Sequence, residues 1–391
     1  MKKIYSVIFI LLAFLLSVGC LNGFYSALAQ EQKDVFTTES KSAYLMDYET
    51  KTVIYSKNEL VHLPIASMCK IMTLLLTFEA LDNNEISLSD NIVVSKNASS
   101  MGGSQVFLEE NGEYKVGELV KSIVVASAND ACVAIAEKLC GSQTEFVDQM
   151  NLRAKELQMN NTVFVNCTGL PQAGQYSCAK DVSTMFNELL KHQDYYKFSK
   201  IWTDIVCHPK DRKTEISNTN KLIRFYKGCD SGKTGYTSEA GHCLVASAVR
   251  DNMRLVSVVI NAPNSKARFK DVSSMFNFGF ENYTNKIILS NDKELNIKVN
   301  VKGGKKNTLS VIPEKPLYVF CKKNQKRNVE LNFEPINSLC APVKVGDIVG
   351  QITAYENGIE IEKVNILANE TILEKTYFDI LKDIAKDWSV A

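Results

Sequence analysis

Apolar and polar positions recur with different periods along the chain and thereby predict its elements. Ser42 to Asp47 is a short apolar-rich run typical of a strand, and Ser67 to Leu81 carries apolar residues at helical spacing. Leu244 to Val249 and Leu255 to Ile260 are continuous apolar runs joined by Asp251-Asn252, which predicts a hairpin of buried strands. Strands from both ends of this region then form one mostly antiparallel sheet with helices packed on it, so the fold class expected is α+β.

The pattern changes from Ile287 onward. Ile297 to Val301 and Val329 to Phe333 alternate apolar and polar residues, and glycines punctuate the short segments that follow. Short alternating runs of this kind predict a small β-sandwich. We therefore divide the chain into an α+β domain over residues 35–283 and an all-β domain over residues 287–370.

The last segment, residues 371–391, predicts an amphipathic helix from about Ile372 to Trp388. Such a helix is too polar to span a bilayer, but it suits the membrane interface, with Tyr and Trp at headgroup depth. The alternative is a helix that docks on the β-domain or on another chain, because its polar face carries as many acids as lysines and gains little from anionic lipid. The apolar stripe consists of Leu373, Tyr377, Ile380, Leu381, Ile384 and Trp388.

The N-terminus has the pattern of a secretory signal peptide. A basic start precedes an apolar run from Ile4 to Val18, and Ala27-Leu28-Ala29 offers an A-x-A cleavage site. Residues 1–29 are therefore expected to be removed from an exported, extracytoplasmic protein. The alternatives are a lipoprotein signal at Cys20, whose preceding residues fit poorly, and an uncleaved anchor, which normally needs about 20 apolar residues.

Composition narrows the classes of function. The net charge of the 391-residue chain is +1, which gives no support to nucleic-acid binding. None of the four histidines has metal-ligand spacing, so neither a metal nor another cofactor is expected. The eleven cysteines show no compact spacing, and free, mostly buried thiols are favoured, although an exported protein could pair them.

Three short motifs carry the candidate chemistry, namely Ser67-Met68-Cys69-Lys70, Ser127-Ala128-Asn129 and Lys233-Thr234-Gly235. Residues three apart on a helix are neighbours, so Lys70 is expected beside Ser67. A serine hydroxyl needs a base, and a lysine can serve when burial lowers its pKa. Taken alone, the first motif fits a helix-capping serine and a surface lysine better. Together the motifs spell S-x-x-K, S-x-N and K-T-G, the pattern of serine enzymes that attack acyl-D-alanyl peptides and penicillins.

The second and third motifs offer groups that bind a substrate. Ser127-Ala128-Asn129 lies between two helix-like segments, where a loop can present a hydroxyl and an amide, although helix capping explains this tripeptide alone better. Lys233-Thr234-Gly235 follows a turn signal, Asp230-Ser231-Gly232, and opens a strand. Its lysine and threonine suit a carboxylate, and its glycine lets a substrate backbone approach closely.

The chain resembles the low-molecular-mass penicillin-binding proteins, the D-alanyl-D-alanine carboxypeptidases of peptidase family S11. Besides the three motifs, the resemblance rests on Pro64-Ile65-Ala66, Met101-Gly102-Gly103-Ser104, Asn218 to Leu222 and Ala240-Gly241. It implies a serine β-lactamase/DD-peptidase-like domain followed by a small all-β domain. It also implies a hydrolase of cell-wall biogenesis at the outer face of the membrane or in the wall. Its partners would be peptidoglycan stem peptides ending in D-Ala-D-Ala, with β-lactams as inhibitors and a peripheral membrane contact.

The resemblance implies a role for each motif residue. Ser67 would be the acyl-ester nucleophile, Lys70 its general base, and Ser127 an aid to proton transfer, so that the terminal D-alanine leaves through an acyl-enzyme. Two backbone N–H groups, those of Ser67 and Tyr236, would form the oxyanion hole. Asn129 would hold an amide group of the substrate, and Lys233 and Thr234 would bind its terminal carboxylate. The substrate-binding residues that the resemblance implies are Asn129, Lys233, Thr234, Gly235 and Tyr236.

Two departures and two rival functions accompany the resemblance. Thr219 stands where some relatives carry an arginine, and Cys69 is an unusual filler of S-x-x-K that is expected to face the core. A class A β-lactamase would need a glutamate four residues before an asparagine, but Thr162 stands at that offset from Asn166. A β-lactam sensor would bind the drug without turnover and would need a signalling membrane domain. The sequence is compatible with both carboxypeptidase and endopeptidase activity. It is also compatible with a role in vegetative growth and with one in sporulation.

Overall fold

The computed structural model describes residues 37–336 and 338–388 of the protein. Helices and strands alternate at first, and strands dominate after residue 283. The strands are β1 (Ser42–Asp47), β2 (Val53–Lys57), β3 (Asn91–Val93), β4 (Glu113–Lys115), β5 (Thr203–Cys207), β6 (Lys213–Ser217), β7 (Cys229–Thr237), β8 (Gly241–Arg250), β9 (Met253–Ala262), β10 (Tyr283–Leu289), β11 (Lys298–Asn300), β12 (Thr308–Pro313), β13 (Leu317–Lys322), β14 (Val329–Pro335), β15 (Ile348–Glu356) and β16 (Ile359–Ala368). The helices are α1 (Lys70–Asp82), α2 (Lys96–Ser99), α3 (Val116–Ala126), α4 (Asn129–Cys140), α5 (Gln143–Glu156), α6 (Ala179–Leu189), α7 (Tyr195–Ser199), α8 (Leu222–Phe225), α9 (Ser265–Asn282) and α10 (Tyr377–Trp388). Short 3-10 turns span Ala66–Cys69 and Pro209–Asp211.

Five antiparallel strands form the central sheet in the order β2-β1-β9-β8-β7. The register joins Ala43 of β1 to Val259 of β9, so the first strand of the domain lies against the last. Helix α9 packs on β8 and β9, while Tyr44, Val256 and Val258 belong to the main core. The inner strands are buried on both faces, which explains their continuous apolar sequence. The predicted hairpin and the α+β fold class are confirmed.

Helix α1 runs through the main core and carries the first motif into it. Its residues Ile71, Leu74, Leu75 and Phe78 are buried around the helix, and α1 packs against α4 and α6. A helix that is apolar all round belongs inside a large domain rather than on its surface. Lys70, which begins this helix, is therefore enclosed by protein on all sides.

Two local predictions differ from the structure. Ser67 precedes the regular helix and lies in the 3-10 turn Ala66–Cys69. Side chains at i and i+3 eclipse in 3-10 geometry, so Lys70 stacks over Ser67 more directly than in an α-helix. Asp230-Ser231-Gly232, predicted as a turn, instead forms part of strand β7, at a position where the register against β8 shifts. The small residues serve an irregular strand there rather than a chain reversal.

The all-β domain begins directly after α9. Strand β10 starts at Tyr283 and pairs with β13, and the other five strands form a sheet in the order β11-β12-β16-β15-β14. Apolar residues of both sheets, among them Val319 and Ile366, meet in a separate core. This core explains the alternating sequence, because one face of each strand is buried in it. The first strand starts before the predicted boundary at residue 287.

The C-terminal helix is shorter than predicted. Helix α10 begins at Tyr377, whereas Ile372 lies in an extended segment that pairs with Val343 of the β-domain. Among residues 37–336 and 338–388, no helix is both long enough and apolar enough to cross a bilayer. The predicted signal peptide, residues 1–29, lies outside the described residues.

Candidate active site

Ser67 stands where three segments of the chain meet. The residue before it, Ala66, has a left-handed φ of 47°. Two glycines make room for this turn, because a Cβ at Gly169 would clash with the Ala66 carbonyl oxygen, and a Cβ at Gly235 would lie 2.6 Å from the Ile65 carbonyl oxygen. The space at Gly235, predicted for a substrate backbone, is thus also needed by the protein's own chain.

Lys70 lies against Ser67, as the spacing predicts. Its Nζ donates to Ser67 Oγ at 3.0 Å and to the carbonyl oxygen of Thr168 at 2.5 Å. The lysine is 0% exposed, and burial lowers its pKa from the ordinary value. Once neutral, Lys70 can keep an N–H on Thr168 and turn its lone pair to the Ser67 hydroxyl proton. The geometry and the burial together allow Lys70 to act as a base.

Lys233 and Ser127 form a second hydrogen-bonded pair. Lys233 Nζ donates to Ser127 Oγ at 2.7 Å, which joins the second motif to the third. Ser127 has a left-handed φ of 63° and turns the chain from α3 into α4. Burial lowers the pKa of Lys233 well below its ordinary value, and the charge of Lys70 lowers this pKa further. A carboxylate bound beside Lys233 would offset both effects and favour the ammonium form.

Asn129 is the first residue of α4 and presents a buried amide. Its Nδ2 donates to the Gly102 carbonyl oxygen at 2.6 Å, and its backbone N–H donates to the Ser104 carbonyl oxygen at 2.7 Å. Its Oδ1 is buried without a hydrogen-bond partner among the described residues. An unpaired buried acceptor is costly, and a substrate N–H would satisfy it. Its side-chain oxygen accepts no N–H of the helix start, so helix capping does not explain this asparagine.

Thr234 and Thr219 meet beside the second lysine. Thr234 Oγ1 donates to Thr219 Oγ1 at 2.8 Å. The position that carries an arginine in some relatives therefore lies in the site and supplies a hydroxyl here. A carboxylate near Lys233 would find neutral hydroxyl groups at these two positions.

The two predicted oxyanion donors lie at one edge of the sheet. A Cβ at Gly235 would lie 3.3 Å from the backbone nitrogen of Ser67, so strand β7 runs against the nucleophile at the residue before Tyr236. The Tyr236 side chain is 60% exposed and stacks on His242, with ring centroids 4.4 Å apart. The strand thereby brings the backbone of Tyr236 near Ser67 while its ring faces solvent.

Asp130 is a site-shaping residue that the sequence analysis missed. It follows Asn129, is fully buried, and accepts backbone N–H bonds from Val106 at 3.1 Å and Leu108 at 3.0 Å. Its carboxylate therefore holds the loop whose earlier residues supply carbonyl oxygens to Asn129. An acid directly after S-x-N was the only sequence signal, and it does not reveal which loop the acid binds.

Arg268 of α9 was missed as well. It is buried and donates to the carbonyl oxygens of Gly235 at 3.1 Å and Cys243 at 3.3 Å, while its Nε has no partner among the described residues. Burial lowers its pKa. This arginine ties α9 to the third motif from 33 residues further along the chain, a distance at which no spacing rule applies.

We expect Asp130→Ala to destabilise the protein. The substitution leaves three buried N–H groups, those of Val106, Leu108 and Ala131, without this acceptor, at about 1–3 kcal/mol each, so the free energy of unfolding should fall by about 3 kcal/mol or more in urea melts. Asp194→Ala is the control, because Asp194 makes only a surface ion pair with Lys197 and should change stability by less than about 1 kcal/mol. Similar small losses in both variants would show that the loop is held by other contacts.

Cys69 faces the core, as predicted. Its thiol donates to the Asn166 carbonyl oxygen at 3.1 Å, and burial raises the pKa of this thiol to about 12. Such a thiol is protonated at neutral pH and is a poor nucleophile. The ten cysteines of the described residues are all unpaired, and most are buried.

These features define a class of protein: a serine hydrolase with a buried lysine against its candidate nucleophile, built on an α+β domain with an all-β domain after it. The family model described as D-alanyl-D-alanine carboxypeptidase matches residues 27–264. The model for the C-terminal domain of penicillin-binding protein 5 matches residues 283–374. The chain belongs to the D-alanyl-D-alanine carboxypeptidases of peptidase family S11.

Individual relatives resemble the chain along nearly its whole length. It is 40% identical to D-alanyl-D-alanine carboxypeptidase DacF of Bacillus subtilis over 352 residues, 90% of each protein. Its fold is similar to that of penicillin-binding protein 5 from Haemophilus influenzae, with a TM-score of 0.68, 28% identity, and coverage of 87% of this chain and 99% of that one. A penicillin-binding protein 3 structure from Streptococcus pneumoniae has a TM-score of 0.72, 25% identity, and coverage of 86% and 100%. The predicted resemblance and fold are confirmed.

Proposed function

We propose that this protein is a serine-type D-Ala-D-Ala carboxypeptidase that removes the terminal D-alanine from peptidoglycan stem peptides. The observation that carries the proposal is the 3.0 Å contact between Nζ of the fully buried Lys70 and Oγ of Ser67. Membership of the carboxypeptidase family supports the substrate class. β-Lactams would acylate the same serine and inhibit the enzyme.

The first half-reaction forms an acyl-enzyme. Neutral Lys70 takes the hydroxyl proton while Ser67 Oγ bonds to the carbonyl carbon of the penultimate D-alanine. The resulting oxyanion accepts hydrogen bonds from the backbone N–H groups of Ser67 and Tyr236. The C–N bond then breaks, and the proton that Lys70 took passes through Ser127 to the leaving D-alanine nitrogen, which returns Lys70 to its neutral form. Ser127 Oγ accepts a hydrogen bond from Lys233 Nζ at 2.7 Å, which orients its hydroxyl for this transfer.

The second half-reaction is hydrolysis of the ester. Lys70 is neutral again after the terminal D-alanine leaves, so it can take a proton from the water that attacks the acyl carbon. The ester C–O bond breaks, Ser67 regains its proton, and the shortened peptide departs. This symmetry of proton transfers explains why one buried amine suffices for both steps.

Substrate orientation follows from the buried polar groups. The unpaired Oδ1 of Asn129 accepts a backbone N–H of the peptide. The terminal carboxylate lies against Lys233 and Thr234, with Thr219 hydrogen-bonded behind them. Thr219 supplies a hydroxyl where some relatives carry an arginine, so the charge that attracts the carboxylate comes from Lys233, with Arg268 close enough to act on it electrostatically.

Release of D-alanine from diacetyl-lysyl-D-alanyl-D-alanine tests this function. The enzyme should release many equivalents per molecule, because its ester intermediate is hydrolysed and the serine is regenerated. A β-lactam sensor would stop at one equivalent, and such a plateau would contradict the proposal. The matched control is Ser67→Ala, which should release less than one equivalent over the same time.

We also propose that the protein is exported and touches the membrane through α10. The family acts on peptidoglycan, which is extracytoplasmic, and the first turns of α10 are rich in exposed apolar side chains. These are Tyr377, Phe378, Ile380 and Leu381, which are 71%, 79%, 47% and 44% exposed. An amphipathic helix of this kind suits the interface of a bilayer. Docking of α10 on another chain is the alternative.

Liposome co-sedimentation distinguishes these alternatives. The chain without residues 1–29 should sediment with liposomes, whereas a form that ends at Lys375 should stay in the supernatant. The truncation begins after Lys375 because Ile372 and Glu374 pair with the β-domain and belong to its fold. If both forms stay in the supernatant, the membrane contact fails and docking of the helix on protein stands.

A further inference from the structure

We infer that Thr73 is a positioning residue for the reaction, because its hydroxyl anchors the loop whose carbonyl oxygen aims Lys70 at Ser67. The loop comprises residues 166–169 and is called the 166–169 loop below. The inference rests on the proposed roles of Ser67 and Lys70. It adds a residue outside the three motifs to the machinery that they form.

Three consecutive carbonyl oxygens of the 166–169 loop each accept a hydrogen bond from residues 67–73, which carry the nucleophile and are called the nucleophile segment below. Thr73 is a neighbour of both other donors on the helix surface, because it follows Cys69 by four residues and Lys70 by three. The pairs are Cys69 Sγ with the Asn166 oxygen at 3.1 Å, Thr73 Oγ1 with the Cys167 oxygen at 2.7 Å, and Lys70 Nζ with the Thr168 oxygen at 2.5 Å. The loop is therefore fixed to the nucleophile segment residue by residue.

The loop is also braced from within by Asn166. Its Oδ1 accepts the backbone N–H groups of Thr168 at 3.2 Å and Gly169 at 2.7 Å, and its Nδ2 donates to the Leu170 carbonyl oxygen at 3.0 Å. The side chain is buried. The loop thus has a preformed shape, and its position relative to Lys70 depends on the donors of the nucleophile segment.

Thr73 is the strongest neutral anchor in this set. A hydroxyl is a better hydrogen-bond donor than a thiol, so the 2.7 Å bond from Thr73 outweighs the bond from Cys69. The third donor is Lys70 itself, which must be free to exchange protons during the reaction. Thr73 is 0% exposed, so water does not compete for its hydroxyl.

The direction of the Lys70 amine depends on this anchor. Ser67 Oγ and the Thr168 carbonyl oxygen are the two hydrogen-bond partners of Lys70 Nζ among the described residues. A neutral amine has two N–H groups and one lone pair, so a carbonyl that takes one N–H limits the directions left for the lone pair. If the Thr168 carbonyl moves, the amine rotates and meets the Ser67 proton less often in a reactive geometry.

Thr73→Val tests the inference, with Thr77→Val as the matched control. Both threonines are fully buried on α1, but Thr77 Oγ1 donates at 2.7 Å only to the carbonyl oxygen of Thr73, within the same helix. The measurements are the rate of acylation by a fluorescent penicillin, and kcat and KM for the diacetyl tripeptide. Thr73→Val should lower acylation and kcat on the order of 10- to 100-fold with little change in KM. Thr77→Val should stay close to wild type.

Two further readouts separate positioning from a general packing defect. Thr73→Ser keeps the hydroxyl and should restore most of the rate. In Thr73→Val the acid limb of the acylation profile should shift to higher pH, because a looser loop admits water and makes Lys70 easier to protonate. If the valine variant does not fold, Thr73→Ala compared with Thr73→Ser provides the same contrast.

The inference is overturned if Thr73→Val and Thr77→Val lose activity equally, or if Thr73→Val changes KM alone. Failure of the proposed function would look different. In that case the wild-type protein would release no D-alanine, or Ser67→Ala would still be labelled by penicillin.

Discussion

Ser67→Ala is expected to abolish covalent labelling by a fluorescent penicillin and to lower D-alanine release on the order of 10⁴- to 10⁶-fold. The acyl-enzyme needs an oxygen nucleophile at this position, and the hydroxyl is the group that Lys70 Nζ contacts at 3.0 Å. Alanine removes this oxygen without filling new space. The protein should therefore stay folded, which thermal unfolding checks, and intact mass should show no adduct.

Cys69→Ala is the control for this prediction. The thiol lies inside the same motif, but burial raises its pKa to about 12 and its Sγ is engaged with the Asn166 carbonyl oxygen. The variant should still be labelled at Ser67, because a protonated buried thiol does not attack a carbonyl. The assignment of the nucleophile would be wrong if Ser67→Ala were labelled and Cys69→Ala were not.

Replacing each of the two buried lysines by alanine should impair a different step of the reaction. Lys70→Ala should slow acylation by every ligand on the order of 10²- to 10⁴-fold, because the general base is lost. Lys233→Ala should mainly slow ligands with a free carboxylate next to the scissile bond, because its charge attracts that group. The measurement is the acylation rate for matched free-acid and ester ligands. An equal loss for both ligands in Lys233→Ala would contradict its carboxylate role.

The pH dependence of the acylation rate shows whether Lys70 acts as the neutral amine or as the ammonium ion. Lys70 acts as a base only when neutral, and burial lowers its pKa below the ordinary value of 10.5. The acylation rate should therefore rise with pH as Lys70 loses its proton, and the rise should be complete at a lower pH than for an exposed lysine. A rate that falls over the same range would mean that Lys70 works as the ammonium ion.

Local sequence patterns predicted the elements that depend on neighbours in the chain. The β8–β9 hairpin, α3 and the contact between Ser67 and Lys70 all follow from short-range spacing, and all three are present. The patterns predicted less well where tertiary contacts override local preference. Asp230-Ser231-Gly232 has turn composition, yet hydrogen bonds to β8 hold it in a strand.

The sequence by itself determined the family, the order of the three motifs and the pairing of a serine with a lysine one turn away, because these depend on residue identity and local spacing. The tertiary structure alone decided that Lys70 is fully enclosed and held by the carbonyl oxygen of Thr168, 98 residues away in the chain. It also decided that Asp130 holds a loop beside Asn129 and that Arg268 ties α9 to strands β7 and β8. Burial and long-range hydrogen bonds depend on how distant segments pack, and that packing determines whether a lysine next to a serine is a surface cation or a base.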